Sequence, residues 1–226
     1  ETPSALNAAA LVGHSTLRVG AMEDLDRPAT DAEIDAMRET LSEALDAGAI
    51  GMSTGLYYDP AKEAPTAEVI RLAELLGPAK GLYTTHLRNE GVDLQKSMEE
   101  AFEIGRAAGV KVVLSHHKSS GRDNFGKTAE SLALIEKTRK EQPVTLDVYP
   151  YDASSTVLQY ERVLISKRTI VTWSETNPDV AGRDLTDIAA DMGCSEEDAA
   201  AASLWKSTNR CSSKFQHISC QLHKRV

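Results

Sequence analysis

The sequence lacks the features that mark membrane-spanning and secreted proteins. Its apolar runs fall short of the roughly 20 residues that a transmembrane helix requires, and its first residues carry no signal-type apolar core. The three cysteines, Cys194, Cys211 and Cys220, all lie late in the chain without C-x-x-C spacing. Together these absences argue against a disulfide framework and a structural zinc site, and they predict a cytoplasmic protein.

Positive charge is also scarce in this chain. Lysine and arginine number 25 against 34 aspartates and glutamates, which gives a net charge of -9 at pH 7. Nucleic acids and anionic membranes are negatively charged, so we expect neither as a partner. This net charge does not exclude small-molecule substrates, because a single site can be basic on an acidic protein.

With 226 residues, of which 41% are hydrophobic, the chain is long enough to form a substantial core.

What the sequence does contain is a regular alternation of strands and helices. Short apolar strands are predicted near residues 8–12, 49–53, 81–85, 110–115 and 144–148. Amphipathic helices are predicted near residues 31–47, 66–76, 94–108 and 128–140, the first with a capping box formed by Thr30 and Glu33. This alternation predicts an α/β fold with a parallel sheet, either a (β/α)8 barrel or an open doubly wound sheet.

Other parts of the chain are less regular. Residues 1–30 and 151–193 show weaker patterns, and the segment 203–226 shows neither helical nor strand periodicity. We therefore expect a domain over residues 1–202 and, over residues 203–226, an unpatterned tail that is disordered or foreign to the fold.

Reactive side chains follow several predicted strands where those strands end. Ser53, His86, His116 and Tyr149 all occupy such positions, and both candidate architectures bind ligands at the carboxyl ends of their strands. Adjacent parallel strands lie about 4.8 Å apart, so His86 and His116 can converge on one zinc ion. The alternative is that both are ordinary histidines with local hydrogen bonds. The sequence offers no recognisable third ligand.

The neighbours of His116 point to different roles. His117 is predicted to face the opposite side of the strand and to serve packing. Lys118 lies just past the strand, where it can hold a substrate carboxylate or remain a solvated loop lysine.

Five short motifs occur in one order along the chain: GMSTGLYY at 51–58, THLRNE at 85–90, SHHK at 115–118, LDVYPY at 146–151 and RVL at 162–164. Over roughly residues 5–190 this set resembles the D-aminoacylase (N-acyl-D-amino-acid deacylase) branch of the amidohydrolase superfamily. The resemblance implies a metal-dependent hydrolase with a (β/α)8 TIM-type barrel, of which this chain would supply about strands three to seven.

The resemblance also implies a function and a set of site residues. The family hydrolyses the amide bond of N-acyl-D-amino acids with zinc, releasing a carboxylate and a D-amino acid. His86 and His116 match metal ligands, and Lys118 and Tyr149 match groups that engage the substrate carboxylate. The positions that match the lining of the substrate pocket are Tyr57, Tyr58 and Ser155.

The chain also departs from the family pattern. It contains no His-x-His pair and no cysteine upstream of Gly51, and the general-base aspartate of the eighth strand is expected beyond this chain. We therefore expect the chain alone to be an inactive fragment.

One alternative is another amidohydrolase, dihydroorotase-like or hydantoinase-like, although the segment 51–54 carries no lysine of the kind those enzymes use to bridge two metals. A second alternative is a non-catalytic remnant or binding module.

Overall fold

A computed structural model describes residues 6–158, 160–174, 177–200 and 219–223. The chain divides into two compact units. The first unit comprises residues 1–119 and 127–149, and the second comprises residues 120–126 and 150–226. Among the described residues, none of the helices has both the length and the apolarity needed to cross a bilayer.

The first unit is built on a sheet of five parallel strands. These are β1 (Val12–Gly13), β2 (Gly51–Gly55), β3 (Leu82–His86), β4 (Lys111–Leu114) and β5 (Val144–Leu146). Their order in the sheet is the order in the chain, β1-β2-β3-β4-β5. In a doubly wound sheet the order of the strands reverses at a switch point, whereas in a barrel each new strand is added on the same side of the previous one. The predicted α/β class is confirmed, and the strand order is that of a barrel segment.

Helices connect these strands. They are α1 (His14–Ala21), α2 (Asp31–Asp46), α3 (Thr66–Ala73), α4 (Leu94–Ala108) and α5 (Thr128–Thr138). The predicted capping box of α2 is present, since Thr30 and Glu33 exchange hydrogen bonds between side chain and backbone. Helix α1 was not predicted, because its buried face includes His14 and Arg18 beside Leu17 and so lacks an apolar stripe.

The core of the first unit lies between the sheet and its helices. Its fully buried side chains include Met37, Leu41, Met52, Leu72, Tyr83, Met98 and Ile104. Helix α4 approaches the sheet so closely that a Cβ at Gly105 would lie 2.2 Å from Cγ2 of Val112. This glycine therefore serves close packing of the helix on β4.

The second unit contains a four-stranded antiparallel sheet in the order β6-β9-β7-β8. Its elements are β6 (Ala153–Val157), α6 (Tyr160–Ile165), β7 (Arg168–Trp173), β8 (Arg183–Asp184), α7 (Leu185–Met192) and β9 (Ser219–His223). These elements were not predicted from the sequence, since β6 is mostly polar and β8 has only two residues. Strand β9 lies within the predicted unpatterned tail and pairs with β6 and β7. Residues 201–218 and 224–226 of that tail lie outside the described residues.

Candidate functional site

The two strand-end histidines meet at one edge of the parallel sheet. His86 is the last residue of β3, and His116 follows the end of β4 by two residues. Because β3 and β4 pair in parallel up to Thr85 and Leu114, both histidines leave the sheet on the same side. His86 Nδ1 lies 3.0 Å from His116 Nε2, and the ring centroids are 4.7 Å apart. The structure thus brings together the two residues predicted as metal ligands.

The backbone of His116 is held in an unusual conformation. Its φ of 39° lies in the left-handed region, which residues other than glycine rarely adopt. The backbone N–H of His116 donates to Oδ1 of Asp147 at 2.6 Å, and the N–H of His117 donates to the Asp147 carbonyl at 2.8 Å. Asp147 directly follows β5. Asp147, which follows β5, therefore fixes the turn after β4 that carries the His116 ring. Strained backbone of this kind is common at functional sites.

Glu90 joins the two histidines from the loop that follows β3. Its Oε1 lies 3.2 Å from His116 Nδ1 and 4.0 Å from His86 Nδ1, and it accepts a hydrogen bond from Lys118 Nζ at 2.6 Å. Burial opposes ionisation of Glu90, but the hydrogen bond from His116 and the charge of Lys118 outweigh that cost. The pKa of the Glu90 carboxyl is therefore held well below its usual range.

The loop that carries Glu90 is itself anchored. The backbone N–H of Asn89 donates to Ser97 Oγ at 3.0 Å, which ties the loop to the first turns of α4. On the other side of Asn89, the guanidinium of Arg88 donates to both carboxylate oxygens of Glu100, at 2.8 and 3.0 Å. These contacts hold the loop from which the Glu90 carboxylate reaches the two histidines.

His86, Glu90 and His116 form a group that suits a metal ion. One ligand atom from each of them lies within 4.8 Å of the others. Two imidazoles and a carboxylate match the donor preference of zinc. The sequence analysis found only two donors here, so Glu90 was missed. It lies within the THLRNE motif, but nothing in a linear sequence indicates that an acid four residues past a strand folds back on a histidine of the next strand.

Aromatic rings and a lysine surround this group. The Tyr58 ring centroid lies 4.9 Å from that of His86, and the Tyr57 centroid lies 5.8 Å from it. Lys118 Nζ lies 2.7 Å from His116 Nδ1 and 5.6 Å from the Tyr149 ring centroid. The predicted residues therefore cluster in the first unit, with one exception. Ser155 lies on β6 of the second unit, where it pairs with β9.

His117 occupies the position predicted for packing. It is buried, and its Nε2 lies 2.8 Å from Ser131 Oγ at the start of α5. Burial, followed by the nearby charge of Lys118, lowers the pKa of this imidazole. The chain thus places adjacent histidines in different environments, one at the candidate metal group and one in the core.

A second buried group of charged residues lies beside β1. Arg18 Nη1 donates to both oxygens of Glu68, at 2.6 and 2.7 Å, and His14 Nε2 lies 3.0 Å from Glu68 Oε1. The remaining donors of Arg18 reach backbone carbonyls, including those of Pro60 and Arg27, each at 2.7 Å. Burial opposes ionisation of Glu68, but hydrogen bonds from His14 and Arg18 overcome it and lower its pKa to about 2.

Comparison with known proteins identifies relatives of the chain. No family model matches it. The D-aminoacylase of Alcaligenes xylosoxydans xylosoxydans is 51% identical over 197 residues, which cover 87% of this chain and 41% of that protein. A solved D-aminoacylase described by its binuclear metal centre has a TM-score of 0.89 at 44% identity, covering 99% of this chain and 45% of that one. The N-acyl-D-glutamate deacylase of Bordetella bronchiseptica, solved with zinc and a phosphonate inhibitor, has a TM-score of 0.89 at 38% identity, covering 98% of this chain and 44% of that one.

These likenesses agree with the motifs, the sequential parallel sheet and the paired histidines. The chain spans about two fifths of the length of its curated relative. It is therefore similar to one part of the D-aminoacylases and related deacylases, a subset of the amidohydrolases.

Proposed function

We propose that this chain carries part of the zinc site of an enzyme that hydrolyses N-acyl-D-amino acids. The observation that carries the proposal is the convergence of His86 and His116 at one sheet edge, 3.0 Å apart, with the buried carboxylate of Glu90 beside them. The names of the relatives, which include D-aminoacylase and deacylases of N-acyl-D-aspartate and N-acyl-D-glutamate, supply the substrate class.

The donor set fits zinc, with His86 and His116 as its ligands. A zinc ion, when bound, supplies a Lewis acid for the amide carbonyl and lowers the pKa of a water molecule. The protein residues bind and orient the substrate. Lys118 presents an ammonium beside the metal group, where it can hold the carboxylate of an N-acyl-D-amino acid together with Tyr149.

The aromatic residues of the site restrict the volume around His86. Tyr57 and Tyr58 stand within ring-contact distance of this imidazole and of each other, with a centroid separation of 5.4 Å between the two tyrosines. Rings in this position would line the pocket for the acyl or side-chain part of the substrate. We also propose Ser155 as a substrate-binding residue, on the family resemblance alone.

Hydrolysis also requires a general base to take the proton of the attacking water. None of the residues of this chain is assigned that role, and the family places it on an aspartate of the eighth barrel strand. We therefore expect zinc binding without turnover from the isolated 226-residue chain, and activity only where that aspartate is present.

The absence of a lysine in β2, whose sequence is GMSTG, disfavours a dihydroorotase-like or hydantoinase-like enzyme. We further propose a cytoplasmic location, since the sequence carries no disulfide framework.

Zinc titration of the chain tests this proposal. In competition with a fluorescent chelator, the parent chain should bind zinc, and His86→Ala and His116→Ala should each weaken binding more than the roughly 10- to 100-fold expected from loss of an outer hydrogen-bond partner. His117→Gln is the matched control, because His117 neighbours His116 but faces Ser131 in the core. A parent chain that binds no zinc would contradict the proposal and favour a non-catalytic remnant.

A further inference from the structure

We infer that Arg88 is a positioning residue of the site, which fixes the loop between β2 and α3 so that Tyr57 and Tyr58 stand against His86. The inference rests on the proposed function, since these two rings are the wall proposed for the substrate pocket. It gives Arg88 a role that differs from binding metal or the substrate carboxylate.

The loop between β2 and α3, residues 56–65, is called the tyrosine loop below. It folds into consecutive tight turns. The backbone N–H of Tyr58 donates to the Gly55 carbonyl at 3.0 Å, and the Tyr58 carbonyl accepts from the N–H groups of Ala61 and Lys62, both at 2.9 Å. The peptide groups of Tyr58 and Lys62 are therefore coupled, so a contact that holds Lys62 also holds Tyr58.

Arg88 supplies a contact of this kind. Its Nη1 donates to the carbonyl of Lys62 and its Nη2 to the carbonyl of Ala64, each at 2.8 Å. The Nε and Nη2 groups also donate to the Glu100 carboxylate on α4, at 3.0 and 2.8 Å. Because the donors of a guanidinium lie in one rigid plane, the carboxylate of Glu100 orients the group that reaches the loop. Arg88 follows His86 by two residues, so the end of β3 carries both the histidine and the residue that holds its aromatic neighbours.

A second arginine holds the tyrosine loop at a different point. Nε of Arg18 donates to the Pro60 carbonyl at 2.7 Å, and this arginine is fully buried against Glu68. The attachment at Pro60 is thus part of the core, whereas the Arg88 side chain is 31% exposed. Loss of Arg88 would leave the loop attached at Pro60 and allow it to pivot about that point.

The Tyr58 ring has little freedom to follow such a pivot and keep its contacts. A Cβ at Gly55 would lie 2.9 Å from Cδ2 of Tyr58, so the ring occupies space that any other residue at position 55 would fill. Gly55 is the register partner of His86 across β2 and β3, and the Tyr58 and His86 ring centroids are 4.9 Å apart. The contact between the two rings therefore reports the position of the tyrosine loop.

Nuclear Overhauser cross-peaks between the Tyr58 and His86 ring protons, recorded on the metal-free 226-residue chain, measure this position. Urea denaturation gives stability, and chelator competition gives zinc affinity. The variants are Arg88→Met and Arg88→Lys. Arg71→Met is the matched control, since Arg71 is 36% exposed and donates to two aspartates of α2. Gly55→Ala displaces the Tyr58 ring directly and gives the reference for a lost contact.

Arg88→Met should lose the Tyr58–His86 cross-peaks, as Gly55→Ala does, while Arg71→Met keeps them. Zinc binding should weaken by no more than the roughly 10- to 100-fold of an outer partner, and by less than in His86→Ala. Arg88→Lys keeps a charge beside Glu100 and should recover stability. One ammonium cannot reproduce the planar contacts with Glu100 and both carbonyls, so the cross-peaks should stay weak.

Two outcomes would overturn the inference. In one, the cross-peaks persist in the folded Arg88 variants. In the other, Arg88→Lys restores the cross-peaks together with stability, which would reduce Arg88 to a stabilising ion pair. If Arg88→Met does not fold, the comparison of Arg88→Lys with Arg71→Met decides between these results. The cross-peaks need no metal, so a parent chain that binds no zinc but loses them on replacement of Arg88 would reject the proposed function and retain the positioning role.

Discussion

Two buried clusters in the first unit are built from similar components. The Glu68 cluster (His14, Arg18 and Glu68) and the Glu90 cluster (His86, Glu90, His116 and Lys118) each combine a buried glutamate, a cationic side chain and a histidine at or just past the end of a parallel strand. In each cluster the glutamate has a lowered pKa despite its burial. Neither the residue types nor the position at the sheet edge therefore distinguishes a structural cluster from a reactive one.

The difference lies in the cation and in access to solvent. Arg18 is fully buried, and its rigid guanidinium is committed to one carboxylate and to backbone carbonyls. Lys118 is a flexible point charge, and His116, with 32% of its side chain exposed, faces a second imidazole. The Glu68 cluster is thus enclosed, with at most 1% of each side chain exposed, whereas the Glu90 cluster offers an imidazole at a surface that solvent reaches. The comparison is consistent with a stabilising role for the first cluster and with the metal site proposed above for the second.

Removing the charge of Glu68 should have the largest effect on stability. Glu68→Gln leaves the Arg18 guanidinium buried without a counter-charge, so we expect the free energy of unfolding to fall by about 3–5 kcal/mol. Urea denaturation at neutral pH measures this loss. Glu39→Gln, at an exposed position on α2, is the control and should change little. A loss of less than about 1 kcal/mol would show that the Glu68 cluster does not stabilise the fold.

The same carboxyl should make stability depend on pH. The pKa of Glu68 is about 2 in the folded protein against an ordinary value of 4.5, so the folded state favours its ionised form. This contribution, about 3 kcal/mol, is complete above the ordinary value and is lost as the pH falls from about 4.5 towards 2.

Urea unfolding at steps of pH between 6 and 3 tests this expectation. The difference in unfolding free energy between the parent and Glu68→Gln should shrink as the solution becomes more acidic. A difference that stays constant over this range would contradict the assigned pKa. The Glu90 carboxyl, which also has a lowered pKa, is present in both proteins and cancels in the comparison.

A smaller effect is expected at the backbone support of the Glu90 cluster. Asp147→Ala removes the acceptor of the His116 N–H, so we expect a loss of about 1 kcal/mol in unfolding free energy and a weakening of zinc binding smaller than that of His116→Ala. Urea denaturation and chelator competition measure the two effects. Asp152→Ala is the matched control, since Asp152 is an exposed acid close to Tyr149 in sequence, on the other side of it from Asp147. Equal effects of both substitutions would remove the role given to Asp147.

Much of the first unit could be predicted because its pattern is local. Helix α2 begins at the capping box of Thr30, and α4 ends before the left-handed Gly109, as the sequence indicated. The second unit could not be predicted in the same way. Its strands are short or polar, and β9 pairs with β6 and β7 across more than 40 residues of sequence. Pairing over such separations depends on the partner strand rather than on local preference.

The sequence by itself determined the alternation of strands and helices and the placement of His86 and His116 at strand ends, because both depend on short-range periodicity. Only the tertiary structure decided which nitrogen of His116 faces His86 and which faces Glu90. It also decided that His14 joins an enclosed cluster with Arg18 and Glu68. Such outcomes depend on contacts between residues that are far apart in the chain, and the chemistry of a histidine follows from the partners of its two nitrogens.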